Sequence, residues 1–267
     1  MIAEFIITFR EALEAGLIVG IVLAYLERTK NTGFNKHVYL GILSGIVGSI
    51  IVAALFQNIM GGFEGKAEEL FEGTLMLFAA VMITWMILWM LKQKHIREEI
   101  ESKVELELSE KHALGLMLFT FISVLREGVE TVIFLGAVAI SAGAASLLGA
   151  IGGIVAAVIL VFLLFETVIK VNIKLFFNVT SVILILFAAG IFAHGVHEYQ
   201  EAGILEEQQE LWNTKNILDD KSTFGSVVRS LFGYNDNPTL YEVIAYFGYI
   251  VAIFVLYLNI ERVHKII

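Results

Sequence analysis

The sequence predicts an all-α integral membrane protein with seven transmembrane helices, arranged as two inverted three-helix repeats followed by a seventh helix. Of the 267 residues, 58% are hydrophobic, only 17% are charged and one is proline, and apolar runs of about 20 residues recur along the chain. Such a run is long enough to cross the hydrocarbon core of a bilayer as a helix. We expect no spanning strands, because open strand edges are not stable in lipid.

The spans are expected, in order, at residues 2–26, 38–58, 73–91, 113–140, 146–169, 175–197 and 240–260. They form a single membrane domain, 1–267, in which 1–91 is the first repeat, 113–197 the second, 198–239 an extracytoplasmic loop and 240–267 the seventh helix with a cytoplasmic tail. The first span is expected to be retained, because its acidic start and internal charges do not fit a cleaved signal peptide. A short charged helix is expected within 92–112, and an amphipathic helix within 201–237.

Basic residues are distributed unequally between the connections. Those after spans 1, 3 and 5 and the C-terminal end hold most of them, whereas the other connections hold only Lys66, Lys215, Lys221 and Arg229. Because cytoplasmic connections are enriched in basic residues, we expect a plasma (inner) membrane protein with its N-terminus outside and its C-terminus in the cytoplasm. The outer connections are acidic, which fits either a solvated face or a vestibule that attracts cations.

Spans 1 and 4 share the pattern Arg-Glu-x-x-Glu, at Arg10, Glu11 and Glu14 and again at Arg126, Glu127 and Glu130. A charge at membrane depth costs about 2.5–3.5 kcal/mol on insertion scales, so such residues are rare unless they face a protein interior or a wet pathway. Residues three and four apart share one face of a helix, which brings each arginine beside its glutamates. Two copies of a costly pattern indicate a functional site.

Two further matches occur in the same order as the charged copies. Gly41-x-x-x-Gly45-Ile-Val in span 2 matches Gly149-x-x-x-Gly153-Ile-Val in span 5, and Leu77-Phe78-Ala79-Ala80 in span 3 matches Leu186-Phe187-Ala188-Ala189 in span 6. Because each unit has an odd number of spans, the two units insert in opposite directions. Inverted repeats of this kind bind substrate near the middle of the membrane and alternate access by rocking one unit against the other.

If the two motifs meet, the glutamates line one cavity, with Arg10 and Arg126 orienting them. Four carboxylates against two guanidinium groups leave an excess of negative charge, which favours a polyvalent cation. Carboxylate oxygens are hard ligands and suit iron, particularly ferric iron, or manganese, magnesium and calcium. The chain contains no cysteine, which excludes thiolate sites and iron–sulfur clusters. The alternative is that the charges only neutralise each other as packing ion pairs.

A second set of candidate ligands, which we name the outer access site, lies at the outer ends of spans 3 and 6: Glu72, His194, His197, Glu198 and Glu201. Imidazole and carboxylate groups one helical turn apart are suitable metal ligands. The set predicts either a site where metal enters or is oxidised, or hydrogen bonding at the membrane interface. A zinc-protease motif is excluded, because Glu201 stands where the second histidine belongs.

The sequence resembles the oxidase-dependent iron permeases, a family of fungal and bacterial high-affinity iron permeases. The resemblance covers essentially the whole chain and rests on both Arg-Glu-x-x-Glu motifs, on Phe71-Glu72-Gly73 and on His197-Glu198-Tyr199-Gln200-Glu201-Ala202-Gly203. It implies iron uptake across the plasma membrane, with the motif glutamates as ligands and a separate extracytoplasmic oxidase or iron-delivery protein as partner. It implies a permease rather than an enzyme, with iron as substrate, no organic cofactor and no nucleic-acid partner.

Two other functions stay open. The first is a proton-coupled transporter of another divalent cation such as manganese, in which some glutamates carry protons. The second is a membrane-embedded metal oxidase that uses the carboxylates with His194 or His197. Carboxylate-bridged di-iron bundles usually pair a glutamate with a histidine three residues later, and neither motif does so.

Overall fold

The computed structural model of the chain describes residues 1–92, 96–109, 113–142, 146–166, 173–206 and 208–266. Within these residues nine α-helices follow one another: α1 Ile2–Arg28, α2 Asn35–Met60, α3 Lys66–Lys92, α4 Ile96–Ser109, α5 Ala113–Ala142, α6 Leu147–Glu166, α7 Ile173–Glu201, α8 Thr223–Phe232 and α9 Leu240–Ile266. A short 3-10 helix, Thr32–Phe34, precedes α2. The β pairing in the described residues is one isolated bridge between Glu210 and Thr239.

Five of the described helices, α2, α3, α6, α7 and α9, are long and apolar enough to cross a membrane. Only 17% of the apolar window of α2 and 11% of that of α9 are buried inside the protein, so most residues of both windows lie at its surface. α1 and α5 are as long, at 27 and 30 residues, but contain the charged motifs. The predicted all-helical membrane fold is therefore confirmed, with five candidate spans among the described residues.

The two short helices occupy the connections in which the sequence predicts them. α4 packs Ile100 and Val104 into an apolar cluster with the end of α1, and Glu101 Oε2 lies 2.6 Å from Arg28 Nη2. α8 begins where the Ser222 hydroxyl accepts a hydrogen bond from the Gly225 N–H. It ends at Gly233, whose φ of 65° is the left-handed conformation that glycine adopts without strain.

α1 packs in parallel on α6 through glycines on both helices. A Cβ atom at Gly153 of α6 would collide with the Thr8 hydroxyl and with the carbonyl oxygen of Phe5. Further along the same pair, Gly16 of α1 accepts the side chain of Val161. The absence of side chains at these positions lets the two backbones approach closely along most of α6.

α2 packs in parallel on α5 in the same manner. A Cβ atom at Gly45 would lie 2.8 Å from the Val124 Cβ, and one at Gly128 would collide with the Ser49 hydroxyl. The close approach at Gly128 explains why the α5 motif carries glycine where α1 has an alanine, at Ala12. This contact holds α5 in place one residue after Glu127.

α3 and α7 run antiparallel and cross near the start of α3 and the end of α7. A Cβ atom at Gly73 would lie only 3.0 Å from the carbonyl oxygen of Gly195. Below the crossing, the largest core cluster includes the fully buried residues Ala79, Ala80 and Ala188. Because small residues line this interface, α3 and α7 form a tightly packed pair beside α1 and α5.

The adjacent glycines Gly153 and Gly152 provide a matched test of the α1–α6 contact. Gly153→Ala is expected to lower stability by about 1–3 kcal/mol, because the new methyl group meets backbone atoms that cannot move aside. Gly152→Ala is expected to be neutral, because the nearest atom, on the Phe5 ring, is 3.6 Å away. Thermal unfolding of the two purified variants in detergent measures the difference, and equal melting temperatures would contradict the contact.

Candidate metal centre

The first motif is buried in α1. Arg10 has no exposed surface, and Glu11 is 1% exposed. Arg10 Nη2 lies 2.8 Å from Glu14 Oε1, one helical turn further along, and Nη1 lies 3.4 Å from Glu11 Oε1. The Met86 sulfur of α3 also contacts Nη1. One guanidinium group therefore fixes both carboxylates of α1.

The second motif, in α5, has the same spacing but a more open arrangement. Arg126 Nε donates to Glu130 Oε1 at 2.9 Å and lies 3.9 Å from Glu127 Oε1. Both carboxylates are buried, whereas the Arg126 side chain is 46% exposed. The guanidinium carbon lies 5.3 Å from the ring centre of Trp89 in α3, a cation–π distance.

The two motifs face each other across the contact between α1 and α5. One carboxylate oxygen each from Glu11, Glu14 and Glu127 lies within 4.8 Å of the other two. Glu130 is not in this group of three, and its carboxylate accepts the hydrogen bond from Arg126. The helices thus bring together three of the four predicted ligands, from two different helices.

Three buried carboxylate oxygens at this centre accept no hydrogen bond from the described residues: Glu11 Oε2, Glu14 Oε1 and Glu127 Oε2. Glu14 Oε1 is in an ion pair with Arg10, which leaves Glu11 Oε2 and Glu127 Oε2. A buried carboxylate oxygen without a donor is costly, and adjacent carboxylates repel each other unless a cation or a proton lies between them. An all-oxygen, strongly negative donor set suits a hard cation. The residues present therefore fit a polyvalent metal ion.

The outer access site has a different geometry. His197 lies between two carboxylates, with Nε2 3.1 Å from Glu201 Oε1 and Nδ1 3.0 Å from Glu242 Oε1 of α9. His194 Nε2 lies 3.5 Å from Glu198 Oε1. In the part of the chain that the structure describes, these residues do not form a group of three ligand atoms within 4.8 Å. The histidines instead pair with carboxylates within α7 and from α7 to α9.

Glu72 lies near the N-terminal end of α3, next to the close crossing of Gly73 with Gly195. Its carboxylate is near enough to Glu198 and Glu201 for electrostatic repulsion. Three carboxylates therefore share this end of the α3–α7 pair. A cation that arrives here would reduce their mutual repulsion.

Sequence reasoning missed Met86, Trp89 and Glu242. Met86 and Trp89 are three residues apart on one face of α3, and each contacts a motif arginine. Glu242 lies in the first turn of α9 and holds His197. The sequence contains no signal for these contacts, because each joins helices that are far apart along the chain.

A second group of three acidic residues, Asp219, Asp220 and Asp236, also brings its oxygens within 4.8 Å of one another, in the segment between α7 and α9. Here the carboxylates have partners. Asp236 Oδ2 accepts the Asp220 N–H at 3.2 Å, and Asp220 Oδ2 lies 2.7 Å from Arg229 Nη1. These bonds are sufficient to explain the group as part of the loop structure.

Comparison with known proteins identifies the family of this chain. The model of the iron permease FTR1 family matches residues 1–265. The ferrous iron permease EfeU of Escherichia coli O6:K15:H31 (strain 536 / UPEC) is 34% identical over 256 residues, which cover 94% of this chain and 93% of that protein. The ferrous iron permease EfeU of Yersinia pestis is 31% identical over 262 residues, which cover 96% and 93%. No solved structure matches the chain. The resemblance predicted from the motifs is confirmed, and the chain belongs to the iron permease FTR1 family.

Proposed function

We propose that this chain transports iron across the membrane and binds it between the two Arg-Glu-x-x-Glu motifs. The observation that carries the proposal is the convergence of Glu11, Glu14 and Glu127 from α1 and α5, with two buried oxygens that lack a donor. Family membership and the names of the relatives select iron among the hard cations that such a site suits. Glu130 is the fourth proposed ligand, and it becomes available when Arg126 moves.

The oxidation state of the transported ion is part of this proposal. Four motif glutamates and two arginines leave two uncompensated negative charges, which a ferrous ion balances. The relatives in Escherichia coli and Yersinia pestis are named ferrous iron permeases. Both observations favour ferrous iron, whereas the resemblance to oxidase-dependent permeases favours ferric iron from a separate extracytoplasmic oxidase. Ferric delivery is the second candidate, because hard carboxylates also suit a ferric ion.

We infer that the chain has seven spans in two inverted units. α1 lies parallel to the apolar α6, and α5 parallel to the apolar α2, so both motif helices have the same depth as a candidate span. The contact of Gly153 with Thr8 corresponds to that of Gly45 with Val124. Gly45 and Gly153 are 108 residues apart, which is also the offset between the two glycine motifs. Thr8 and Val124 are 116 residues apart, which is also the offset between the two charged motifs. Equivalent contacts at equivalent offsets support a two-fold relation.

We further propose that iron enters past the outer access site, with the N-terminus outside and the C-terminus in the cytoplasm. Glu72, Glu198 and Glu201 lie close enough to repel one another, which supports a role in attracting a cation. His197 links this end of α7 to Glu242 of α9 and keeps the carboxylates in position. A separate oxidase or iron-delivery protein would act at this face.

Uptake by the purified chain in proteoliposomes tests the proposed function. Ferrous iron kept reduced under anaerobic conditions, ferric citrate and manganese are supplied separately and in competition, with no partner protein. We expect saturable ferrous uptake and weak competition by manganese. Equal transport of manganese, driven by a pH gradient, would favour the divalent-cation transporter instead. Oxidation of ferrous iron without uptake would favour the membrane-embedded oxidase.

A further inference from the structure

Both motif arginines contact the same face of α3. Met86 contacts Arg10, and Trp89, three residues later, lies under the guanidinium group of Arg126. Residues three apart on a helix are neighbours on its surface. α3 contributes no carboxylate to the metal centre, yet its side chains contact the arginine of each motif.

The two arginines differ in exposure although their motifs have the same spacing. Arg10 has no exposed surface, whereas the Arg126 side chain is 46% exposed. A charged group at membrane depth generally faces the bundle interior or a water-filled path. Arg10 is therefore enclosed by protein, whereas Arg126 marks the exposed side of the centre, which we call its open side.

The open side lies toward the end of the bundle that carries α4. Trp89 is three residues before the end of α3 at Lys92, which leads to α4, and Arg126 precedes Glu127 and Glu130 on a helix that starts from α4. Arg126 and Trp89 therefore lie between the glutamates and this end. In the proposed orientation it is the cytoplasmic end.

We propose that Trp89 is a positioning residue that holds Arg126 over the exit from the metal centre. This proposal rests on the proposed function and its orientation. Arg126 and the metal ion compete for Glu127 and Glu130, so the ion is released as the guanidinium group returns to these carboxylates. The Trp89 ring keeps the displaced guanidinium close to the glutamates by cation–π contact, and its return is then rapid.

The equivalent position in the second unit supports a difference between the two ends. The offset of 109 that relates Leu77 to Leu186 also relates Trp89 to Glu198. At the end proposed for iron entrance, this position is a carboxylate, Glu198, which attracts the ion. At the proposed exit, the equivalent position is the aromatic ring of Trp89, which attracts the competing arginine. This difference gives the transport path a direction.

Iron kinetics in proteoliposomes test the role of Trp89. Trp89→Leu removes the ring face, so Arg126 competes less with iron. With weaker competition iron binds more tightly, so KM falls, and iron is released more slowly, so the maximal rate of uptake falls. We expect each constant to fall by between about twofold and thirtyfold. Trp89→Phe keeps an aromatic face and is expected to lie between Trp89→Leu and the unchanged protein. The matched control is Trp85→Leu, one turn away on α3 with 72% of its surface exposed, which is expected to leave both constants unchanged.

A second readout does not depend on transport. The chain has no cysteine, so Ser123→Cys introduces a single thiol one turn before Glu127, on the same face of α5. A membrane-impermeant thiol reagent is expected to modify it from the α4 side only, and severalfold faster when Trp89→Leu is added. Modification from the opposite side would overturn the exit assignment.

The outcomes separate this proposal from the function on which it rests. If Trp89→Leu matches Trp85→Leu in KM, maximal rate and thiol reactivity while Glu127→Gln abolishes uptake, the role of Trp89 is wrong and the metal centre stands. If Trp89→Leu and Trp89→Phe both lower the maximal rate and leave KM unchanged, Trp89 contributes only to helix packing. This result would also overturn its proposed role in positioning Arg126. If Glu127→Gln transports iron normally, the proposed function fails whatever Trp89 does.

Discussion

Glu127→Gln is expected to lower iron uptake by more than about a hundredfold, because substitutions one layer outside a metal's ligands already cost 10–100-fold. Glu127 supplies one of the three converging oxygens, and its Oε2 is buried without a donor. Glutamine keeps the size of the side chain but removes the negative charge and replaces one acceptor by a donor. Initial rates of iron uptake in proteoliposomes, at equal amounts of folded protein, measure the loss.

Glu105→Gln on the exposed face of α4 is the control for the loss of one carboxylate, and its uptake rate is expected to stay unchanged. Glu14→Gln is expected to be as severe as Glu127→Gln, since Glu14 belongs to the same group of three. Glu130→Gln is expected to abolish iron-dependent growth of cells that rely on this chain for iron, because Glu130 is the fourth proposed ligand. Full uptake by Glu127→Gln and Glu14→Gln would exclude a carboxylate site at this interface.

Arg10→Met is expected to destabilise the protein by about 3–5 kcal/mol, because removal of one partner from a buried ion pair leaves an uncompensated charge. The substitution leaves Glu11 and Glu14 in the interior without the guanidinium that lies 2.8 Å from Glu14. Arg10→Lys restores the charge but not the planar group that reaches both carboxylates. We expect Arg10→Lys to fold and to transport iron poorly. Thermal unfolding in detergent and proteoliposome uptake measure the two effects separately.

The exposed ion pair of Arg28 with Glu101 provides the comparison, since Arg28 lies on the same helix and its side chain is 56% exposed. Arg28→Met is expected to change stability by no more than about 1 kcal/mol, as is usual for surface ion pairs. Normal transport by Arg10→Lys would show that a point charge is sufficient. The role of Arg10 in orienting both carboxylates would then be wrong.

The helices could be predicted from the sequence more reliably than their ends. α3 was expected from residue 73 but begins at Lys66, and α7 was expected to end at 197 but continues to Glu201. Hydropathy detects only the part of a helix that lies in hydrocarbon. The polar turns beyond it continue the same backbone hydrogen bonds, so they are helical without an apolar signal.

Helical spacing predicts that the two glutamates of each motif share one face of their helix, whereas the meeting of Glu11 with Glu127 depends on tertiary packing. The unequal exposure of Arg10 and Arg126 could not be predicted, since the two copies have the same Arg-Glu-x-x-Glu spacing. The difference in exposure depends on tertiary contacts such as that of Arg126 with Trp89. The pairing of His197 with Glu242 joins α7 to α9 and depends on packing in the same way.

The glycine contacts determine which helices can move together. α1 is interlocked with α6, and α2 is interlocked with α5. Each of these two pairs consists of one helix from the first sequence unit and one from the second. A displacement that widens the gap between Glu14 and Glu127 must carry α6 along with α1, and α2 along with α5. If the chain transports iron as proposed, the bodies that move are these two parallel pairs, each of which contains helices from both sequence units.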